Sequence, residues 1–449
     1  MQACAHIAAP WRDPTEVLGA FAEEPWALAL LSGGGGPQGR WSYLARDPDA
    51  ILTQWPDDPR DPFALLADLL GETAPGLPDG PPFQGGVAGL ACYELGDRVE
   101  PLGLGRTAVW PDLACARYPA VLAFDHAERR VLAMGRGAST VEAETRAASA
   151  LAWMDAAPRA SASGSLADSL VASDGPAYEL AVAEVVARIQ AGEIFQANIA
   201  RNWTGRLCAR ATPFDILARL AGQSAAPLAG YLRLEGLALV SNSPERFVAV
   251  AADGQVQTRP IKGTRPRGLC PAEDLALAAE LLASDKDRAE NLMIVDLMRN
   301  DLARVCAPGS VRAPELFAVE SFANVHHLVS TVTGRLAPGR SAVDLIRAAF
   351  PPGSITGAPK VQAMKTIARL EPPRGPYCGS LFWAGFDGAL DSSVLIRSVA
   401  CVADAGGWAL EARAGAGIVA DSDPAAERAE TEAKIAALVR ALTATEPAA

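Results

Sequence analysis

Apolar residues fall in short runs through the first third of the chain, broken by glycine, proline and charged residues. Trp26 to Leu31 is one such run and is predicted as a buried strand, closed by Ser32-Gly33-Gly34-Gly35-Gly36. Arg40 to Leu44 returns as the next strand, in a hairpin-like pair with the first. Pro62 to Leu70 repeats its apolar positions at helical spacing, with Asp61 placed to cap it and a proline at the first helical position. Leu90 to Glu94 is predicted extended, and Val121 to Phe124 pairs with Val131 to Met134 around Asp125-His126. From Tyr178 to Ala191 the residues Leu180, Val182, Val185, Val186 and Ile189 define one apolar helical face, and Gly192 ends the helix. Beyond it strands and helices alternate. Strands are expected at Glu193 to Trp203, Leu237 to Ser241, Arg246 to Val250, Val256 to Pro260, Val325 to Leu336 and Cys401 to Ala412. Helices are expected at Asp274 to Leu282, Asp285 to Val305 and Asp423 to Leu442.

Ala160 to Asp174 is rich in serine, alanine and glycine and has no apolar period, as in a linker. It divides the chain into an N-terminal region, residues 1–158, a linker, 159–175, and a C-terminal region, 176–449. No internal repeat at solenoid spacing is present.

The chain has 449 residues, half of them hydrophobic, and a formal net charge of −12. That balance argues against a nucleic-acid partner. An anionic substrate must then be met by local arginines, lysines, backbone amides or a metal. No apolar segment is long enough to span a membrane. Met1 to Pro10 lacks the basic start and apolar run of a signal peptide. The eight cysteines form no Cys-x-x-Cys pair, which points to reduced thiols in a cytoplasmic protein. Four histidines without clustered spacing do not make a zinc site.

Candidate chemistry enters at Gln257-Thr258-Arg259-Pro260-Ile261-Lys262-Gly263-Thr264-Arg265-Pro266-Arg267-Gly268. The prolines stiffen the stretch and Gly263 permits a turn beside the lysine. Nearby arginines and partial burial both disfavour a charged Lys262, and an amine of lowered pKa acts as nucleophile or base. Read by itself, the stretch equally suits a solvated basic loop. In the last predicted helix Glu427, Glu430 and Lys434 share one face, and Asp287 and Glu290 share another in an earlier helix. Acids from two helices can hold a hard cation, or simply face solvent. The small residues of Arg413-Ala414-Gly415-Ala416-Gly417-Ile418 expose N–H groups that can receive a carboxylate, and the same composition makes a tight turn. Phe350 to Lys360 has glycines and a terminal lysine without the spacing of a phosphate loop. The glycine run after Ser32 lacks the lysine and helix start.

Pro260-Ile261-Lys262-Gly263-Thr264 resembles the signature of 4-amino-4-deoxychorismate synthase large subunits. These belong to the chorismate-utilising family with anthranilate, isochorismate and salicylate synthases. Ala289 to Leu302 resembles that family's magnesium helix, and Glu427 with Glu430-Thr431-Glu432-Ala433-Lys434 its final helix. Gly353 to Lys360 resembles the loop that lines its substrate pocket. More loosely, Leu30-Leu31-Ser32, Gly39 to Ser42 and Gly85 to Leu90 are similar to its N-terminal region. The resemblance covers the chain after Pro176 and, more weakly, the part before Pro158. It implies an α+β fold of the anthranilate synthase component I type. Two intertwined subdomains pack their β-sheets face to face, with helices outside and the substrate between them.

The resemblance also implies roles. Glu290, Glu427 and Glu430 engage Mg2+, directly or through water, and the ion binds the ring carboxylate of chorismate. Lys434 and the amides of Gly415, Ala416 and Gly417 help to neutralise that carboxylate. Arg397 and Tyr377 hold the enolpyruvyl end, and Thr356 and Gly357 hydrogen-bond near the ring. His327 reaches the site, while His326 is structural. Lys262 is the nucleophile, and Glu245, in Asn242-Ser243-Pro244-Glu245-Arg246-Phe247, is the general acid. Ser32 stands where some members hold tryptophan, but the usual Leu-Leu-Glu-Ser is shortened here to Leu-Leu-Ser. Pro352 replaces a glycine, and Leu381-Phe382-Trp383 departs from a more usual Gly-Tyr. The implied reaction converts chorismate and ammonia to 4-amino-4-deoxychorismate, towards para-aminobenzoate and folate. No glutaminase signature is present, so ammonia comes from solution or from a glutamine amidotransferase partner. Two alternatives are an anthranilate synthase, which carries alanine where Lys262 stands, and a non-catalytic binder of chorismate or tryptophan.

Overall fold

The computed structural model describes residues 3–33, 39–157, 159, 161–322 and 325–444. Most of the glycine run, Gly34 to Gly36, lies outside them. Among the described residues the strands form a twelve-stranded and a ten-stranded sheet. The first runs from Ala3–Pro10 at one edge through Arg130–Gly137, Ala120–Asp125, Trp41–Ala45 and Leu28–Leu31. It continues through Leu228–Leu234, Leu237–Ser243, Ser398–Asp404, Gly407–Ile418 and Gln196–Leu207 to Gly357–Ala358. The second runs from Ile261–Pro266 through Val325–Arg335, Gln255–Thr258, Arg246–Val250 and Leu390–Val394. Ser380–Gly385, Gly86–Ala91, Leu113–Tyr118 and Ala50–Gln54 follow, and Arg312–Ser321 pairs with Val325–Arg335 off this path.

Both sheets mix early and late strands. Leu28–Leu31 pairs antiparallel with Leu228–Leu234, and Gly86–Ala91 with Ser380–Gly385. The two ends of the chain therefore share one fold, as two intertwined subdomains. Part of the stretch read as a linker, Ala167–Ala172, is itself a strand paired with Gln196–Leu207.

Alternation along the strands explains the layering. Val121 and Ala123 share a cluster with Leu381 and Trp383 of the other sheet, while Leu122 and Phe124 belong to the cluster of the opposite face, which includes Ala150 of helix Thr140–Ala152. Successive strand residues face opposite sides, so one face of a sheet meets the other sheet and one meets helices. Burying a residue such as Val121 contributes roughly 1.5–3 kcal/mol relative to exposure.

Local chemistry sets the helix starts. Asp61 accepts the Phe63 N–H at 2.9 Å to begin Pro62–Leu70, and Asp423 accepts the Ala426 N–H at 2.9 Å to begin Pro424–Thr443. Gly192, just past Gly175–Gln190, takes φ 78°. Three sequence readings differ. Leu180, placed on the apolar face of that helix, is 73 % exposed, because Tyr178, Val182 and Val185 fill the contact. The predicted strand Leu90 to Glu94 ends at Ala91 and gives way to the tight helical turn Tyr93–Arg98. Cys401 to Ala412 is a hairpin of two strands, Ser398–Asp404 and Gly407–Ile418.

Candidate active site

Two short crossings between the sheets carry functional groups. Glu245 lies between Leu237–Ser243 of the first sheet and Arg246–Val250 of the second. Arg397 lies between Leu390–Val394 of the second and Ser398–Asp404 of the first. The crossings brace each other: the Val394 N–H donates to the Glu245 carbonyl at 2.9 Å, and the Asn242 N–H to the Arg397 carbonyl at 3.1 Å.

Glu245 is buried, and burial pushes its pKa up to about 7. The Ser354 hydroxyl, Lys262, the Ile261 N–H and Arg397 oppose that shift. Lys262 is carried by Ile261–Pro266, whose pairing with Val325–Arg335 slips between Ile261 and Thr264. Such a bulge re-aims the side chain at its site. Gly263 supplies the φ of 83° that the bulge requires, a conformation that suits glycine.

Burial lowers the Lys262 pKa, and Lys434 adds to that shift while Glu290, Glu245 and Glu430 oppose it. The neighbouring arginines take no part, contrary to the reading of the sequence. Arg259 pairs with Glu320, Arg265 with Glu280 and Asp287, and Arg267 with Asp274. Their charges are spent on these carboxylates.

His327 is buried, and burial, with Arg397 second, holds its pKa down at about 3. It is therefore neutral, with Nδ1 2.9 Å from the Thr264 hydroxyl. His326 points elsewhere, to Ser321 and Asp274, each at 2.8 Å. Tyr377 is buried under the Arg374 guanidinium, 5.7 Å from its ring centroid. Beside it lies a cavity of ≈ 40 Å³ lined in part by Arg374, Ser398 and Arg413. The Thr356 hydroxyl turns back onto the Pro352 and Gly353 carbonyls, each at 3.1 Å. Gly357 pairs with Ala197 at the sheet edge.

Gly415, Ala416 and Gly417 lie in Gly407–Ile418, where one edge pairs with Gln196–Leu207. Pairing on the other edge stops at Ala412. Lys434 donates to the Gly415 carbonyl at 2.9 Å. A strand residue points its N–H and C=O to the same edge, so the Gly415 N–H is presented beside Lys434.

The three glutamates occupy different settings. Glu427 is buried and accepts from the Ser422 hydroxyl at 2.7 Å, and burial raises its pKa, with Glu430 adding to the shift. Burial raises that of Glu290 too, against the pull of Lys262 and Lys286. Burial acts most strongly on Glu430, but Lys434, 2.6 Å away, together with Lys262 and Lys286 outweighs it and lowers the pKa. Among the described residues no group of three or more His, Cys, Asp or Glu stands close enough to hold a metal. Of the acids paired by sequence spacing, Asp287 is engaged by Arg265. Ser32 lies in a separate place and donates to the Pro227 carbonyl at 3.2 Å.

Residues to which the sequence reading gave no role complete the surroundings. Lys360 bridges Asp301 and the Ala349 carbonyl, both at 2.6 Å, and so ties the Gly353 to Lys360 loop to helix Asp285–Ala303. Arg374 is buried, pairs with Glu371 at 3.0 Å and donates to the Ile355 and Asn198 carbonyls. The buried carboxamides of Gln196 and Asn198 face the same region. No sequence motif distinguished Arg374, Gln196 and Asn198 from ordinary core positions, and Lys360 stood at the end of the loop motif without a role of its own.

Residues 30–440 match the protein family described as chorismate binding enzyme. The chain is 40% identical over 460 residues to aminodeoxychorismate synthase component 1 of Klebsiella aerogenes, covering 96% of this chain and 97% of that one. It is also 40% identical to anthranilate synthase component 1 of Streptomyces coelicolor, covering 91% of this chain and 82% of that one. The solved structure of anthranilate synthase component I from Streptococcus pneumoniae superposes with a TM-score of 0.79 at 27% identity, covering 90% of this chain and 93% of that one.

Proposed function

The chain belongs to the family of chorismate binding enzymes, and from that membership we propose that it aminates chorismate to 4-amino-4-deoxychorismate. The observation that carries this reading is Lys262, an amine of lowered pKa held opposite a glutamic acid with a pKa of about 7. Identity alone does not separate the two branches, since relatives named for each are 40% identical. The lysine favours the amination branch, where the anthranilate branch has alanine.

In the proposed reaction the Lys262 amine forms a bond to C2 of the ring. The ring double bonds shift, the C4–O bond breaks, and Glu245 protonates the leaving hydroxyl to give water. Ammonia then bonds to C4, the double bonds shift back, and Lys262 leaves with the electron pair of its C2 bond. The surplus proton on the new amine returns to Glu245. Arg397 and Tyr377 hold the enolpyruvyl carboxylate, which suits a planar guanidinium. Neutral His327 offers its ring to the substrate without adding charge. The Gly415 amide and Lys434 receive the ring carboxylate.

Glu290, Glu427 and Glu430 fit Mg2+ in donor chemistry. They are carboxylates, and the charge of Glu430 raises the proton affinity of the other two, as expected where a hard cation belongs. Bound there, Mg2+ would supply positive charge for the ring carboxylate. The ammonia source is a glutamine amidotransferase partner or free ammonium. The eight cysteines are all free, which supports a cytoplasmic location. Among the described residues no helix is long and apolar enough to cross a membrane.

The test is to incubate the purified chain with chorismate, magnesium and ammonium and to identify the product. Formation of 4-amino-4-deoxychorismate supports the reading. Anthranilate with released pyruvate would move the chain to the other branch, and unchanged chorismate would make it a binder.

A further inference from the structure

Strand Gln196–Leu207 is paired along one edge with Gly407–Ile418. On its other edge Gly357–Ala358 covers Gln196 and Ala197, and Ala167–Ala172 covers Trp203 to Leu207. Among the described residues no strand fills the interval between them. Main-chain groups buried there without partners would cost stability. A single ion pair meets them. Glu371 accepts the Ala200 N–H at 2.7 Å, and Arg374 donates to the Asn198 carbonyl at 2.7 Å. The Asn198 N–H donates to the Thr356 carbonyl at 2.8 Å. A carboxylate and a guanidinium thus stand in for the acceptor and donor of a neighbouring strand.

The pair reaches beyond the strand. Arg374 and Glu371 are joined by two hydrogen bonds of 3.0 Å, and their side chains are 1% and 3% exposed. Another N–H of Arg374 donates to the Ile355 carbonyl at 3.1 Å, next to Thr356 and Gly357. The guanidinium packs against the rings of Tyr93 and Tyr377, 4.8 and 5.7 Å from their centroids. Glu94 fixes the main chain at this point, accepting the Arg374 and Gly375 N–H groups at 2.6 and 2.9 Å. Just past Tyr377, the Cys378 N–H donates to the Leu395 carbonyl at 2.8 Å, on the crossing that carries Arg397. One buried guanidinium therefore ties together the strand, the Thr356-Gly357 segment and Tyr377. Stability alone does not call for it, since apolar residues of similar volume often replace a buried ion pair without loss. Apolar residues cannot supply a rigid fork of donors.

We propose that Arg374, held by Glu371, is a positioning residue for chorismate: it keeps Tyr377 and the Thr356-Gly357 segment at the spacing the substrate fits. The proposal rests on the reading that these residues hold chorismate, and it stands for either product. A pocket set in advance does not have to be ordered by the substrate, so affinity is higher.

The test uses the full chain. Chorismate affinity is measured by calorimetry with magnesium in the Lys262→Ala background, where no adduct forms, at a temperature where circular dichroism shows the variants folded. Hydrogen exchange is followed by mass spectrometry with and without chorismate. Arg374→Gln removes charge and fork, and Arg374→Lys keeps the charge alone, so Glu371 retains a cation should the first variant not fold. Both are expected to weaken chorismate binding roughly tenfold. With Lys262 present, the KM for chorismate should rise in proportion while kcat stays within about twofold. In the free variants exchange should rise together in residues 196–202, 353–358 and 374–379, and chorismate should restore protection. A folded variant that binds chorismate as tightly as its parent overturns the proposal. So does a rise in exchange confined to residues 371–377, which marks a local structural role. If the parent itself does not bind chorismate, the reading of the site fails, and this proposal with it.

Discussion

Lys262 Nζ stands 3.0 Å from the point that a Cβ on Gly417 would occupy. Position 417 therefore has room for hydrogen alone, and the lysine uses the space. Gly417→Ala would push aside the flexible end of a side chain, so the fold should survive. The nucleophile would not keep its place, and a misplacement of about 1 Å can cost about 100-fold in rate. The expected outcome is a large loss in kcat with a melting temperature close to the original. Equal activity in the alanine variant would show that Lys262 reacts from elsewhere.

Lys262→Ala should abolish or divert amination and still bind chorismate, because it removes a bond-forming group and leaves the carboxylate partners. Binding can be read by calorimetry and product by chromatography. Full amination by the variant would remove the lysine from the mechanism.

Glu245 must carry a proton to release water, and its pKa of about 7 fixes the sign of the pH effect. Above that value the group is ionised, so its contribution to adduct formation is lost as pH rises through neutrality, and the rate itself falls only where Lys262 is already neutral. Lys262 acts on the other side, because its neutral fraction grows with pH. Glu245→Gln should remove the falling limb along with most of the rate. A falling limb that persists in this variant would assign it to another group.

Glu427→Gln and Glu430→Gln should each raise the magnesium concentration needed for half-maximal rate, since each removes a hard anionic donor. Glu430 has a second duty, its 2.6 Å ion pair with Lys434. Its variant should therefore also raise the KM for chorismate. Unchanged magnesium dependence in both would leave that helix face as a solvated surface.

Much of this arrangement was legible in the residues. Period and caps located helices Pro62–Leu70 and Pro424–Thr443 to within a residue or two. Proline, glycine and the lysine between them located a constrained turn, which is now a bulge. What could not be read was any relation across the sheets. Glu245 and Arg397 meet because two chain crossings lie side by side, and neither local pattern encodes its neighbour. The lowered pKa of Lys262 was expected from adjacent arginines, with partial burial adding to them. It comes first from burial, and then from Lys434, 172 residues away along the chain (434 − 262). Arg374 looked like any arginine in a proline-rich turn until its guanidinium was placed between Glu371 and the Ile355 and Asn198 carbonyls.

The last prediction concerns ammonia. With ammonium as the only donor, and where Lys262 is already neutral, two effects of pH oppose each other. Free ammonia rises about tenfold per unit up to about pH 9, while protonated Glu245 falls by a similar factor above about 7. The rate per total ammonium should therefore climb to neutrality and then level, instead of following free ammonia upwards. Glutamine alone should support no turnover. Adding a separate glutaminase subunit should restore it, and should also change the profile. Ammonia handed over directly no longer depends on the bulk equilibrium, so the falling limb of Glu245 should reappear where free ammonium gave a plateau. Amination of chorismate by the pure chain with glutamine alone would place a glutamine-hydrolysing site within the chain itself.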